Sequence, residues 1–179
     1  MYIEKASEKN DIKSIKALYL EAFPSEERKP FWLMIKKAKS GEMDILAIKE
    51  GESFLGLMIT IPRENYVLLD YFAVLPEKRC GGIGSEALKL IAEYYEGNTI
   101  VIEIETPNES APNNTERIRR NAFYHRCGFM EVGVDISLFG VEMKLLTLGE
   151  TIDFDEYILF YSETFGKGIT KNIKMLKMG

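Results

Sequence analysis

The chain has 179 residues and a formal charge of −5, with 23 Lys and Arg against 28 Asp and Glu. A chain of this length is expected to form one domain, or one domain with a small extension. Four of the lysines fall in the last fourteen residues, so the body of the chain is more acidic still. An acidic body disfavours nucleic acid as a primary partner, because polyanion binding depends on clustered Lys and Arg.

Cysteine and histidine are too few and too scattered for a metal centre. The two cysteines, Cys80 and Cys127, are far apart in sequence, and His125 is the single histidine. This usage fits a reducing cytoplasm and predicts no metal site. The N-terminus lacks an apolar signal region, and no stretch approaches the roughly 20 apolar residues that span a bilayer. We therefore expect a cytoplasmic protein without a membrane partner.

The spacing of apolar residues predicts eleven elements in the order α-α-β-β-β-α-β-α-β-β-α. The predicted helices cover about 10–23, 31–41, 83–97, 118–128 and 153–165, and the predicted strands 44–49, 54–61, 67–74, 99–105, 129–138 and 141–148. Early antiparallel strands followed by a β-α-β-α unit indicate a mixed α/β fold. We expect one central, mostly antiparallel sheet of about six to seven strands, flanked by helices.

A glycine-rich turn follows the buried strand that ends at Val74. The segment 79–84 reads Arg-Cys-Gly-Gly-Ile-Gly and leads into a helix. Glycine lets the backbone approach a ligand closely, and the first N–H groups of a helix have no partner within the helix. This combination favours a site for phosphate oxygens.

Two phosphate-binding patterns compete for this turn. Residues 82–87 match the G-x-G-x-x-A dinucleotide pattern, with Glu103 about twenty residues further on. That pattern needs its first glycine directly at the strand end, whereas seven residues separate Val74 from Gly82. A P-loop is excluded because no Lys-Ser or Lys-Thr follows the glycines. A nicotinamide-dependent oxidoreductase thus remains an alternative, though a less favoured one.

The other pattern resembles the GNAT family of acetyl-CoA-dependent N-acetyltransferases. Residues 79–84 fit the R/Q-x-x-G-x-G/A motif of that family, and 122–129, Ala-Phe-Tyr-His-Arg-Cys-Gly-Phe, resemble its FY-x-x-x-GF segment. The order of elements is also similar to the family fold over residues 1–148. One departure is Arg117, which stands where many members carry Asn. The resemblance implies a GNAT-like single domain at 1–148, with 149–179 as a C-terminal helix and basic tail.

The resemblance also implies roles for individual residues. The end of the strand at 72–74 would pair with the pantetheine arm, and 79–84 would wrap the pyrophosphate. The residues assigned to the coenzyme are Phe72, Ala73, Val74, Arg79, Cys80, Gly81, Gly82, Ile83, Gly84, Ser85 and Asn121. Tyr124 would lie near the sulfur and act as general acid, because a departing thiolate needs a proton source.

The acceptor amine must lose a proton before it attacks a thioester. Glu103 and Glu105 lie on one face of their predicted strand, because strand side chains alternate. Glu105 is nearer the carboxyl end of the strand, where ligands gather in open α/β sheets, so it is the predicted base. Glu26 and Glu27, in the first inter-helix loop, are candidates to line the acceptor entrance.

The sequence thus predicts an enzyme that transfers an acetyl group from acetyl-CoA to a primary amine of a small molecule or peptide. The resemblance implies direct attack within a ternary complex, with acetyl-CoA as co-substrate. A non-catalytic module that binds acyl-CoA is the first alternative. The role of the C-terminal helix and the occurrence of a homodimer stay open.

Overall fold

A computed structural model of the chain describes the backbone of residues 1–178 and the side chains of residues 1–176. The described part contains five α-helices and eight strands in one sheet. In chain order they are β1 (Tyr2–Lys5), α1 (Lys9–Ala22), α2 (Phe31–Lys39), β2 (Asp44–Glu50), β3 (Ser53–Arg63), β4 (Tyr66–Val74), α3 (Ile83–Tyr94), β5 (Thr99–Glu105), α4 (Asn114–Arg126), β6 (Met130–Leu138), β7 (Val141–Leu148), α5 (Phe154–Phe165) and β8 (Ile173–Met178).

The mixed, mostly antiparallel sheet confirms the predicted fold class. Its strand order is β1-β2-β3-β4-β5-β7-β6-β8. The β4–β5 pair is parallel, and every other pair whose register is described is antiparallel. The expected six to seven strands are too few, because β1 and β8 were missed. Both are short strands at the ends of the strand order, so they lack the continuous apolar pattern by which a buried strand is recognised.

The helix boundaries follow the local signals in the sequence. Helix α1 ends before Pro24, with Phe23 already in extended conformation. Helix α4 is followed by Gly128 at φ +91°, a conformation that glycine adopts without strain. The Asp153 carboxylate caps α5 by accepting a hydrogen bond from the Glu156 N–H at 2.8 Å. No helix in the described part of the chain is long and apolar enough to cross a membrane.

The chain divides into two compact units. The first comprises Met1–Pro62 and Leu69–Gly97. Its core is formed by apolar residues of α1, α2, α3 and the strands β2 to β4. Among the fully buried side chains of this unit are Ile15, Met34, Leu46, Ile48, Leu57, Ile59 and Ile91.

The second unit comprises Arg63–Leu68 and Asn98–Gly179. Its core joins β5 to β7 with α5, and its fully buried side chains include Ile100, Val101, Ile136, Leu145, Leu146, Tyr157, Phe160 and Tyr161. The C-terminal segment beyond residue 148 therefore contributes a helix with one buried face to this unit. Strand β8 extends the sheet by pairing with β6.

Candidate functional site

The carboxyl end of β4 belongs to the first unit and carries the residues predicted to hold the pantetheine arm. In the part of the pairing that the structure describes, β4 is paired with β5 at Tyr66–Leu68 only. On its other side the strand lies close to β3, where a Cβ on Gly56 would clash with the Ala73 carbonyl oxygen. Glycine at position 56 thus allows β3 to support the end of β4 at close range.

The glycine-rich turn begins after a short 3₁₀ turn at Pro76–Lys78. The Arg79 Nε donates a hydrogen bond to the Val74 carbonyl at 3.2 Å, so the turn folds back on the end of β4. Cys80 is exposed and has φ +68°, which is uncommon for a residue with a side chain. The predicted phosphate loop is therefore an exposed, tightly turned segment directly beyond β4.

Helix α3 begins at the end of this turn. Gly82 precedes its first residue with φ +79°, and a Cβ at Gly82 would meet no other described atom within 4 Å. Gly82 has no side chain with which to cap the helix, and the space beside it is open. The arrangement suits an anion at the positive end of the helix dipole.

The carboxyl end of β5 belongs to the second unit and carries Glu105, which is 8% exposed. Arg117 of α4 binds the Glu105 Oε1 through Nη2 at 2.6 Å, and the Arg120 Nη1 lies 3.3 Å from Oε2. The Asn113 amide donates to both oxygens at 3.3 and 3.5 Å. Arg117 also donates to the Thr106 carbonyl at 3.0 Å. Glu105 is thus the point at which α4 is tied to β5, a network that the sequence analysis missed.

Tyr124 lies in the last turn of α4 and is 9% exposed. Its ring packs edge-on against Phe129, with centroids 5.4 Å apart, and beside Phe123 at 5.2 Å. Burial raises the pKa of Tyr124 to about 12, although the positive charge of Arg120 opposes this rise. The phenol is therefore fixed in place and stays protonated at neutral pH.

Asn121 and Glu103, which the sequence analysis also singled out, have partners within the second unit. The Asn121 side chain lies beside the Glu131 carboxylate. The Glu103 carboxylate accepts from the buried phenols of Tyr157 at 2.6 Å and Tyr161 at 2.9 Å. This engagement of Glu103 by α5 argues against the ribose-binding role that the dinucleotide pattern required of it.

The predicted residues thus fall into two groups. Phe72–Val74 and Arg79–Ser85 lie together in the first unit, and Glu105, Asn121 and Tyr124 lie together in the second. The first unit also contains a buried ion pair that was not predicted, between Lys29 and Asp70. A lone acid within the apolar run Val67–Val74 was the available sequence signal for it.

Comparison with known proteins gives the family of the chain. The model of the acetyltransferase (GNAT) family matches residues 12–129. A structure from Bacteroides thetaiotaomicron assigned to the GNAT acetyltransferases is similar at TM-score 0.77 and 22% identity, covering 93% of this chain and 99% of that one.

Two further solved structures share the fold. An aminoglycoside 6'-N-acetyltransferase complexed with coenzyme A has TM-score 0.64 and 15% identity, covering 86% of this chain and 100% of that one. A chimera of the spermidine N-acetyltransferase from Vibrio cholerae has TM-score 0.65 and 14% identity, covering 83% and 96%. No curated protein matches the sequence. Because the family model covers well over half of the chain, the protein belongs to the GNAT family of acetyltransferases.

Proposed function

We propose that this acetyltransferase moves the acetyl group of acetyl-CoA to a primary amine of a small molecule or peptide. The amine attacks the thioester directly within a ternary complex. The observation that carries this proposal is the turn from β4 to α3, in which Gly82 leaves the start of the helix uncapped and open. A site for phosphate oxygens at that point fits coenzyme A, whose pyrophosphate is its most charged part near the pantetheine arm.

In this proposal the end of β4 binds the pantetheine arm as an added strand. Phe72–Val74 lie beyond the three residues of β4 whose pairing with β5 is described, and β3 supports them from the other side. The Val74 N–H polarises the thioester carbonyl and stabilises the oxyanion that forms when the amine attacks. Arg79 to Ser85 hold the pyrophosphate, with Arg79 braced on the Val74 carbonyl.

Tyr124 is the proposed general acid. As the tetrahedral intermediate collapses, the C–S bond breaks and the departing sulfur takes up the electron pair, so it needs a proton donor. A phenol with a pKa of about 12 is a weak acid toward a thiolate whose ordinary pKa is near 8.5. Tyr124 therefore acts mainly through a hydrogen bond that strengthens as sulfur gains negative charge.

Glu105 is the proposed base, and its contacts favour one of its two oxygens. Oε1 is held at 2.6 Å by Arg117, whereas Oε2 has only contacts of 3.3 Å, from Arg120 and Asn113. The Arg120 side chain is 47% exposed, so it can turn away from Oε2 into solvent. Oε2 would then accept the ammonium proton through a water while Arg117 keeps the carboxylate in place. Asn121 as a coenzyme contact stays a prediction.

The acidic composition of the chain supports a cationic acceptor, because opposite charge steers a ligand toward the protein. Structures that share this fold include enzymes named for spermidine and for aminoglycosides, both of them polycationic amines. Two free cysteines support a reducing, cytoplasmic setting. We treat small polyamines as the first acceptors to test, with basic peptides second.

Initial-rate kinetics with both substrates varied test the proposed route. Direct attack in a ternary complex predicts reciprocal plots that intersect. Parallel plots would overturn this part of the proposal, because they indicate that the acetyl group passes first to the enzyme. Binding of acetyl-CoA without release of free thiol, over the whole amine panel, would favour the non-catalytic module instead.

A further inference from the structure

A lysine ammonium is held in the first unit by a carboxylate that solvent barely reaches. The Lys29 Nζ lies 2.6 Å from the Asp70 Oδ1. The Asp70 side chain is 2% exposed and the Lys29 side chain 22%. Asp70 is on β4, whereas Lys29 is in the loop between α1 and α2. The ion pair therefore joins β4 to a lysine side chain that solvent partly reaches.

The second carboxylate oxygen of Asp70 has no donor. Oδ2 is buried and has no hydrogen-bond partner among the side chains and backbone that the structure describes. A carboxylate oxygen in such a place normally accepts at least one hydrogen bond, because burial without one is costly. Asp70 thus has capacity for an N–H donor beyond the one that Lys29 supplies.

A cluster of aromatic rings lies beside the same ammonium group. The Lys29 Nζ lies 5.1 Å from the centre of the Tyr71 ring, within the range of a cation–π interaction. Tyr19 and Phe23 each pack edge-on against Tyr71, with centroids 4.9 Å apart. A carboxylate beside an aromatic face is the chemistry that recognises an alkylammonium ion.

The loop that carries Lys29 is anchored through its backbone, not through its ammonium alone. The Tyr19 hydroxyl donates to the Lys29 carbonyl at 2.9 Å, and the Tyr71 hydroxyl donates to the Glu27 carbonyl at 2.8 Å. The Lys29 N–H donates to the Tyr71 hydroxyl at 3.1 Å. The Lys29 side chain can therefore leave Asp70 while the loop keeps its position.

We propose that Asp70 and Tyr71 form an alkylammonium-binding site for the acceptor, occupied in the free protein by Lys29. An incoming ammonium group donates to Asp70 and displaces the Lys29 ammonium toward solvent. This assignment of an acceptor site rests on the proposed amine acetylation. Because an ammonium held here is protonated and cannot attack a thioester, the acceptor carries a second amino group. The site thus selects di- and polyamines over monoamines.

Calorimetric titration with 1,4-diaminobutane, in the absence of acetyl-CoA, tests the site itself. Wild-type protein is expected to bind the diamine. Lys29→Met removes the competing ammonium and keeps much of the side-chain volume, so the Kd should fall by about tenfold. Asp70→Asn should abolish binding. The double variant Lys29→Met/Asp70→Asn should also fail to bind the diamine. Because it leaves no unpaired buried charge, it shows whether binding is lost even if the single variant Asp70→Asn does not fold.

A second buried lysine of the same unit supplies a matched control. The Lys49 Nζ lies 2.9 Å from Glu4 and 3.3 Å from Asp11, and its side chain is 11% exposed. Lys49→Met should leave the Kd of the diamine at the wild-type value. Equal diamine affinity in wild type and in the double variant would overturn the proposal, as would an unchanged Kd in Lys29→Met. Because this experiment measures binding of the diamine, a protein that binds it but transfers no acetyl group would contradict the proposed function and not the proposed ammonium site.

Discussion

At the scale of single residues, burial gives Tyr124 both its fixed position and its high pKa. The ring is held between Phe123 and Phe129, so removal of the hydroxyl group leaves most of the packing in place. We predict that Tyr124→Phe lowers kcat by about 10²- to 10⁴-fold, the usual contribution of a general acid. The Kd of acetyl-CoA, measured by calorimetry, should stay at the wild-type value. If kcat instead stays within about threefold of wild type, the loss is too small for a general acid, and Tyr124 has a structural role only.

The same burial predicts how the stability of the protein depends on pH. The pKa of Tyr124 is about 12 in the folded protein and about 10 in an unfolded chain. The contribution of the neutral Tyr124 phenol to the free energy of unfolding is therefore fully present below pH 10 and is lost as pH rises toward 12. In that window the free energy of unfolding should fall less in Tyr124→Phe than in wild type, by up to about 2–3 kcal/mol. Urea titrations at fixed pH measure this difference, with the exposed Tyr2→Phe as a control that should follow wild type.

Glu105 has an observed structural role and a proposed catalytic role, which one substitution can separate. Because Glu105 pairs with Arg117, Glu105→Gln should lower the free energy of unfolding by about 3 kcal/mol, since removal of one partner leaves a buried charge unpaired. As the proposed base, it makes the same variant lose rate on the acidic limb of the kcat–pH profile. Glu131→Gln is the matched control: that carboxylate pairs with Lys144 but is 37% exposed, so its loss should cost less than about 1 kcal/mol. A destabilised Glu105→Gln with a wild-type pH profile would place the base elsewhere.

Some of these residues were accessible from the sequence and others were not. Tyr124 and Glu105 are predicted because a motif and a strand end mark them, and their catalytic roles stay predictions. The ties from Arg117 and Asn113 to Glu105 were not found, because they join positions separated by a loop whose path no local pattern predicts. Asp70 was visible as an acid in an apolar run, but its partner Lys29 is 41 positions away in sequence.

At the scale of elements, the turn from β4 to α3 carries the coenzyme assignment. We predict that Gly82→Val raises the Kd of acetyl-CoA by at least about tenfold, because a branched side chain would obstruct the approach of phosphate to the first N–H groups of α3. The substitution also strains the backbone, since φ is +79° at Gly82.

Gly97 provides the control for that strain. It has φ +87°, and a Cβ added there would meet no other described atom within 4 Å, as at Gly82. Gly97→Val should therefore lose a similar free energy of unfolding, about 1–2 kcal/mol, while binding acetyl-CoA normally. Equal coenzyme affinity in the two variants would contradict the assignment of the phosphate loop.

Glu103 of β5 joins helix α5 to the sheet through hydrogen bonds to its carboxylate. Both Tyr157 and Tyr161 donate to its carboxylate from fully buried rings. We predict that Glu103→Gln lowers the free energy of unfolding by about 1–3 kcal/mol and leaves kcat unchanged, since hydrogen bonds to a charged group are lost. Glu109→Gln, in the exposed loop before α4, should change neither quantity. Loss of turnover without loss of stability would instead identify Glu103 as the base.

The elements themselves were largely predictable, and the exceptions have a physical cause. Helices such as α1 and α5 carry apolar stripes, and central strands such as β4 and β5 are mostly apolar. Strands β1 and β8 become strands only by pairing with β2 and β6, so their own sequences hold little signal. The boundary proposed at residue 148 stays a prediction.

At the scale of the whole molecule, the residues proposed for the coenzyme lie in the first unit, and the proposed acid and base lie in the second. Family membership is established by the match over residues 12–129, which ends at Phe129 and so includes both predicted motifs. The proposed preference for cationic acceptors, which rests on the acidic composition, should weaken as salt is added, because salt screens surface charges. Acceptor choice is thus expected to follow charge first and shape second.

Detection of the acetylated amine tests the central claim most directly. Purified protein is incubated with acetyl-CoA and 1,4-diaminobutane, and both acetylated product and free thiol are quantified against time, with Tyr124→Phe in parallel. We predict equal amounts of product and thiol from the wild-type protein, and a much lower rate of both from the variant. Acetyl-CoA binding with no acetylated product, for this amine and for the wider panel of polyamines, aminoglycosides, amino acids and peptides, would contradict the claim.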